Sequence, residues 1–189
     1  MSMNQPADDR LLIARLAAAD EAALRALMGR HQVRVFRFLL QRVRNDAIAE
    51  ELTNEVFTEA WLHADTFEGR SSVSTWLLSI AHNRAVSRLR KRRDEALDDE
   101  QAGAIPDTGD NPEVTAQKAD KSSVMRRCIE RLSPAHREII DLVYYHEQSI
   151  AEVSAILNCP EATVKTRMFY ARKQLADILK AAGIDRGWP

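Results

Sequence analysis

The sequence predicts an all-α protein: two small helical domains joined by a flexible acidic linker, the second domain carrying a helix-turn-helix. Three observations carry this prediction. Strand-like alternation is absent, and only 6 glycines and 6 prolines interrupt 189 residues. Apolar residues recur at steps of three and four, the period of a helix with one buried face. The composition then breaks sharply between Asp94 and Asp120. There Asp94, Glu95, Asp98, Asp99, Glu100, Asp107, Asp110, Glu113 and Asp120 face a single base, Lys118, among Gly103, Pro106, Gly109 and Pro112. Such a stretch repels itself and buries little, which is the character of a linker. The boundaries expected are 10–93 for the first domain, 94–120 for the linker and 121–182 for the second domain.

In chain order, Met1 to Asp9 is polar and reads as a disordered tail, followed by a short helix over 10–18. Asp20 is an N-cap for a long helix reaching Arg44, with Leu24, Leu27, Met28, His31, Val35, Phe38 and Leu39 on its inner stripe. On that face His31 is expected to be a buried, hydrogen-bonded histidine, not a ligand. Asp46 is expected to cap the next helix, 47–64, which places Ile48, Leu52, Val56 and Ala60 at steps of four. Its polar face is one-sided: Glu50, Glu51, Glu55 and Glu59, with no Lys or Arg from Asn45 to Leu62. This is a solvated acidic face or a docking surface for a partner protein, with Phe57 and Trp61 as aromatic anchors.

A loop from Asp65 to Ser71 precedes a helix whose inner side is Val73, Trp76, Leu77, Ile80 and Ala81. Its far end is basic: Arg84, Arg88, Arg90, Lys91, Arg92 and Arg93, with no acid from His82 to Arg93. Six cations so close repel one another unless an anion lies alongside, and a phosphate backbone is one such anion. The helix dipole accounts for the last two or three of them. After the linker, Asn111 and Pro112 read as a cap and first helical position. Cys128, Ile129 and Leu132 close one amphipathic helix, and Ser133 with Pro134 opens another, filled by Ile139, Ile140, Leu142 and Val143.

The stretch Ser149 to Leu175 reads as two helices with a tight break. Ser149 and Glu152 form a capping box. Ile150, Val153, Ile156 and Leu157 make one stripe, and Asn158, Cys159 and Pro160 end it. In the second helix Val164, Met168, Ala171 and Leu175 share a face. Lys165, Thr166, Phe169, Tyr170, Arg172 and Lys173 fall on the flanks and outside. Helix, short turn and basic second helix is the pattern that reads the major groove.

The totals exclude several classes. With 27 basic and 28 acidic residues the net charge is −1, so any affinity for nucleic acid must come from local patches. Cys128 and Cys159 are far apart without CxxC pairing, which suits a reducing cytosol. No apolar run is long enough to span a bilayer, and no signal-peptide pattern opens the chain. The five histidines show no metal spacing, and there is no Gly-rich phosphate loop and no GxSxG. The chain is therefore expected to use no cofactor, no metal and no catalytic residue, and to work in the cytoplasm.

Three runs in order are specific. AEELTNEVFTEAW (Ala49 to Trp61) resembles the polymerase-docking helix of bacterial sigma factors. STWLLSIAHNRAVSRLRKRR (Ser74 to Arg93) resembles the helix that opens the minus-ten promoter element. RLSPAHREIIDLVYYHEQSIAEVSAILNCPEATVKTRMFYARKQL (Arg131 to Leu175) resembles the domain that reads the minus-thirty-five element. Together they are similar to the extracytoplasmic-function group of sigma factors, which has only these two domains.

The resemblance implies that Glu50, Glu51, Asn54, Glu55 and Phe57 contact the coiled coil of the largest subunit of core RNA polymerase. It implies that the loop from Phe67 to Ser74 holds a base flipped out of the minus-ten strand. Minus-ten contacts then fall to Phe67, Arg70, Ser72, Trp76, Asn83, Arg84 and Arg88. Minus-thirty-five contacts fall to Ala162, Thr163, Lys165, Thr166, Arg167, Phe169, Tyr170 and Lys173. Tyr170 stands where many members carry arginine. Promoter DNA and core polymerase are the implied partners, together with an anti-sigma factor, often membrane-anchored. The competing class is a helix-turn-helix repressor acting without polymerase, for which the Glu-rich and Arg-rich helices have no purpose.

Overall fold

In the computed structural model, the described residues are 6–98 and 121–183, with side chains over 9–95 and 124–183. The rest of the expected linker and the Asn111–Pro112 start lie outside them. The described elements are helical throughout and fall into two compact units.

The first unit holds α1 (Pro6–Ala17), α2 (Glu21–Val43), α3 (Asp46–Leu62) and α4 (Val73–Asp98). Asp9 is not part of a loose tail. Pro6, at the first helical position, presets the helical φ, and α1 buries Leu12, Ile13 and Leu16. Arg15 in its last turn pairs with Asp20 at 2.7 Å. The Asp20 carboxylate also accepts from the backbone N–H of Ala22 and Ala23, capping α2. The Arg15 hydrogen bond is the main cause holding its pKa below the usual range.

Helix α2 buries Leu27, His31, Val35, Phe38, Leu39 and Val43, a stripe stepping by four and three. It ends at Arg44 in the left-handed region, and the turn to α3 is capped by Asn45, not by Asp46. The extended Asn45 aims its side-chain oxygen at the N–H of Ile48, 2.9 Å away, while Asp46 is already helical. Helix α3 buries Leu52, Val56 and Ala60 as expected, and beside them Ala49, Thr53 and Phe57. Phe57 is 2% exposed. It belongs to the core and is not a surface anchor. A 3₁₀ turn at Ala64–Thr66 leads to the loop before α4.

Helix α4 buries Val73, Leu77, Leu78, Ile80, Ala81 and Ala85. It does not stop at Arg93 but continues to Asp98, so the first residues assigned to the linker are helical. Asp94 and Glu95 lie one turn beyond Arg90 and Lys91 and pair with them at 3.9 and 3.8 Å. The basic cluster is thus not a helix terminus, and the dipole does not account for it.

The second unit holds α5 (Lys121–Glu130), α6 (Pro134–Ile140), a π-helical turn (Asp141–Tyr145), α7 (Ile150–Leu157) and α8 (Glu161–Ala181). Ser133 caps α6 through the N–H of His136. Both α5 and α6 pack on α8. The core of this unit includes Cys128, Leu132, Ile139, Ile140, Leu142, Val153, Val164, Met168 and Leu175.

Two predictions follow from the first core. Removing the Phe57 ring (Phe57→Ala) lowers unfolding stability by about 3–5 kcal/mol, whereas Glu51→Gln, at an exposed ion pair, changes it by about 1 kcal/mol or less; urea denaturation checks both. Burial, and secondarily the charge of Arg42, pushes His82 from 6.5 down to about 4. The unfolded chain therefore takes up a proton that the folded chain refuses, so stability is full above pH 6.5 and falls as the pH drops toward about 4. Allowing for solvent screening of a half-exposed ring, His82→Gln removes on the order of 1–2 kcal/mol of that loss, measured as urea midpoints at pH 7 and pH 5.

Candidate functional site

The first unit presents three surfaces. One is charged and runs where α3 faces α4. Arg88 forks onto Glu51, with Nη2 to Oε2 at 3.1 Å and Nη1 to Oε1 at 3.5 Å. One turn along, Arg84 donates from Nε to Glu59 at 2.5 Å and from Nη1 to Glu55 at 3.5 Å. Residue numbers rise on one helix as they fall on the other, so the two run antiparallel. The steps of four on each helix make a ladder of three carboxylates and two guanidinium groups. Glu51 and Glu55, expected to face polymerase, are therefore partners of Arg88 and Arg84, expected to face DNA. Every rung has an exposed or half-exposed member, so each pair is worth about 0–1 kcal/mol.

A second surface is a groove of about 510 Å³ between α2 and α3, lined by Gln32, Val33, Phe36, Glu50, Thr53 and Asn54. Glu50 and Asn54 are exposed along it, beside the exposed Val33. Thr53 is buried and donates its hydroxyl to the Ala49 carbonyl at 2.6 Å. Phe57 does not reach this surface. The α2 residues were not anticipated, because a groove between two helices has no signature in either one alone.

The third surface is the loop before α4 and the outer side of that helix. Phe67 leans on Trp76 with ring centroids 5.0 Å apart and planes at 44°. Ser72 caps α4: its hydroxyl oxygen accepts from the N–H of Thr75 at 3.0 Å and lies 2.8 Å from the Thr75 hydroxyl. Arg70 is exposed and pairs with Glu68. Asn83 is exposed seven residues beyond Trp76, hence on the same side of α4 two turns on. Phe67, Trp76 and Asn83 thus lie along one side, while Arg84 and Arg88 turn toward α3. Arg92 and Arg93 remain exposed.

In the second unit the capping box forms as expected. The Glu152 carboxylate accepts from the N–H of Ser149 at 2.9 Å, and the Ser149 hydroxyl accepts from the N–H of Glu152 at 3.3 Å. Asn158 adopts φ +47, a left-handed residue that ends α7. The Ser154 hydroxyl donates to the Cys159 carbonyl at 2.6 Å, tightening the turn. Before α7 the chain is fixed by buried polar groups: His146 Nε2 lies 3.3 Å from Asp141, and Gln148 donates to the His146 carbonyl at 2.9 Å.

Helix α8 separates its faces cleanly. Val164, Met168, Ala171, Leu175 and Leu179 are buried. Ala162, Lys165, Thr166, Arg167, Phe169, Tyr170 and Lys173 are exposed, and Thr163 is half-buried. Phe169 and Tyr170 are 65% and 54% exposed, with rings edge-to-face at 5.4 Å. Lys165 pairs loosely with Glu161 at 3.5 Å, and Thr166 donates back to the Ala162 carbonyl at 2.9 Å. Arg172 lies over the Tyr144 ring at 5.6 Å and so packs locally. Among the described residues no group of three His, Cys, Asp or Glu is placed to hold a metal ion, and no helix is long and apolar enough to cross a membrane.

Comparison with known proteins agrees with this geometry. The models for Sigma-70 region 2 and Sigma-70 region 4 match residues 27–95 and 122–175. The chain is 31% identical over 179 residues to the ECF RNA polymerase sigma factor SigW of Bacillus subtilis, spanning 88% of this chain and 96% of that one. It is 30% identical over 171 residues to the ECF sigma factor SigK of Mycobacterium tuberculosis, spanning 89% and 91%. Among solved structures it is similar to the sigma factor RpoE of Bartonella quintana, seen in complex with the anti-sigma factor NepR. That match has 25% identity and a TM-score of 0.69, covering 86% of this chain and 98% of that one. CnrH, in complex with the cytosolic domain of CnrY, shares the fold at 22% identity and a TM-score of 0.65, covering 92% and 97%. The chain belongs to the extracytoplasmic-function (ECF) family of RNA polymerase sigma factors.

Proposed function

We propose that the chain docks on core RNA polymerase through the α2–α3 side of its first unit and brings two DNA-reading surfaces to one promoter. The observation that carries this is the separation of faces on α8: one side is fully buried, so Lys165, Thr166, Phe169 and Tyr170 are presented outward together. Residues 10–93 and 121–182 act as the two functional domains, joined through 94–120.

Glu50, Glu51, Asn54 and Glu55 offer acidic and polar contacts to a basic coiled coil of the largest subunit. Phe57 supports them from within. Phe67, Arg70, Ser72, Trp76 and Asn83 take the minus-ten strand. An unpaired base can be read on edges hidden in the duplex, at an unstacking cost of a few kcal/mol. Arg84 and Arg88 exchange their carboxylates for phosphates when strand and polymerase are both present. The exchange is cheap, since each exposed rung is worth about 1 kcal/mol at most. In the second unit Ala162, Thr163, Lys165, Thr166, Arg167, Phe169, Tyr170 and Lys173 face the minus-thirty-five element. Tyr170 gives up the bidentate guanine contact that arginine supplies at this position, which shifts the preferred sequence.

Two modest sites tethered together, and held at fixed spacing by polymerase, give affinity that neither has alone. The chain performs no covalent chemistry itself, works in the cytoplasm, and is held inactive by an anti-sigma factor that covers these faces. The complex of RpoE with the anti-sigma factor NepR supports that last element.

The test is run-off transcription with purified core polymerase and a promoter library. Product is expected only when the chain is present, and it is expected to be lost with retained folding in Glu51→Ala/Glu55→Ala. Lys165→Ala and Thr166→Ala each weaken binding by roughly 1–3 kcal/mol per lost base contact, with relaxed preference at the upstream element. Tight binding to duplex DNA without polymerase, and no effect of the chain on transcription start, would instead favour the repressor.

A further inference from the structure

Helix α1 lies outside the stretch matched by the Sigma-70 region 2 model, yet it is locked to the first unit by charge as well as by apolar packing. Asp9 is 5% exposed. Its Oδ1 accepts from Arg30 Nη1 at 2.8 Å, and its Oδ2 lies 2.9 Å from Nε2 of the buried His31. Both carboxylate oxygens are thus held by α2. Desolvation of this carboxylate offsets much of its attraction to α2, while removing one of its partners would leave a buried charge uncompensated.

The next residue points elsewhere. Arg10 donates from Nη2 to the carbonyl of Gly69 at 2.9 Å, across 59 residues of sequence. Gly69 sits at φ +68, where a side chain is strained, in the middle of the loop between the 3₁₀ turn and α4. A Cβ built there would lie 3.7 Å from the Arg10 guanidinium carbon, so the arginine lies close along the loop backbone. Phe67 on one side of Gly69 rests on Trp76, and Ser72 on the other side caps α4. The loop is therefore pinned at both ends by its own helix and in the middle by α1.

We propose that Arg10 is a positioning residue for base recognition. Asp9 sets the seat of α1 on α2, and Arg10 on that fixed helix sets the height of the Gly69 carbonyl, hence the shape of the loop that receives the flipped minus-ten base. This rests on the assignment of the Phe67–Ser74 loop as the base-receiving loop. A group displaced by a fraction of an ångström loses discrimination well before it loses binding.

The experiment uses full-length protein assembled with core polymerase. The probe is the duplex fragment that the unaltered holoenzyme selects from a library randomised over the minus-ten element. Each variant is scored by the ratio of open-complex formation on this fragment to that on fragments substituted at single minus-ten positions. Arg10→Ala is expected to reduce that ratio by about tenfold at one position, with affinity for core polymerase and minus-thirty-five preference unchanged. Arg10→Lys, which can still reach the carbonyl, should keep most of the ratio. Leu11→Ala, on the exposed neighbour, should keep all of it. Thermal unfolding of each variant separates loss of fold from loss of discrimination. An unchanged ratio in folded Arg10→Ala, or equal loss in Arg10→Ala and Arg10→Lys, overturns the proposal. Phe67→Ala separates the two levels: if it lowers the ratio while Arg10→Ala does not, only the role of Arg10 falls. If it also leaves the ratio unchanged, the loop is not the base-receiving loop and both fall.

Discussion

The first unit depends on the antiparallel packing of α3 across α4. Each helix commits one apolar stripe to the shared core, Leu52, Val56, Phe57 and Ala60 on one side and Leu77, Ile80, Ala81 and Ala85 on the other. Burial of a large apolar side chain is worth about 1.5–3 kcal/mol, and a surface ion pair about 1 kcal/mol or less. Apolar contact therefore sets how the helices sit, and the Glu51–Arg88 and Glu55/Glu59–Arg84 ladder follows from that register instead of causing it. The consequence is functional. On the proposed assignment, charges meant for two different partners are paired with each other in the free chain, at an energy of about 1 kcal/mol or less per exposed pair.

The same logic, inverted, holds α1. There the carboxylate of Asp9 is buried, held by the part-exposed Arg30 and the buried His31, so its attraction to them is traded against its own desolvation. Burial is the main cause that holds the His31 pKa below its usual value, and the Asp9 carboxylate opposes it. The ladder's carboxylates are exposed or half-exposed and the Asp9 carboxylate is buried, so the same pairing of residue types carries a small net energy in one place and a large desolvation term in the other.

Much of this was legible in the chain. Stripes on α2, α4 and α8, the caps at Asp20 and Ser133, and the capping box at Ser149 follow from local periodicity and local hydrogen bonding, which need only neighbouring residues. What was not legible lies between elements. On α3 the narrow stripe Ile48, Leu52, Val56, Ala60 was evident, but a packed helix buries an arc wider than one row, and that arc takes in Ala49, Thr53 and Phe57. An aromatic residue at its edge therefore looked like a surface anchor. Asp9 resembled an acid in a solvated tail because its partners lie 21 and 22 residues away. Asn45 and Asp46 are equally good caps by composition, and the extended backbone at Asn45 decides between them. Of the candidate residues on α8, seven are exposed and Thr163 is half-buried, an arrangement that follows from the helix's single apolar row. The pairing of Arg84 and Arg88 with carboxylates of α3 was not anticipated, since the position of α3 is not written in α4.

On the proposed assignment, α3 and the Trp76–Asn83 side of α4 are separate surfaces with separate partners. A photoreactive amino acid placed singly at Asn54 and at Asn83, in holoenzyme bound to a selected promoter, tests this most directly. Crosslinking from Asn54 to the largest polymerase subunit and from Asn83 to the non-template DNA strand is the predicted result. Crosslinking of Asn54 to DNA, or of Asn83 to polymerase with none to the strand, would contradict it.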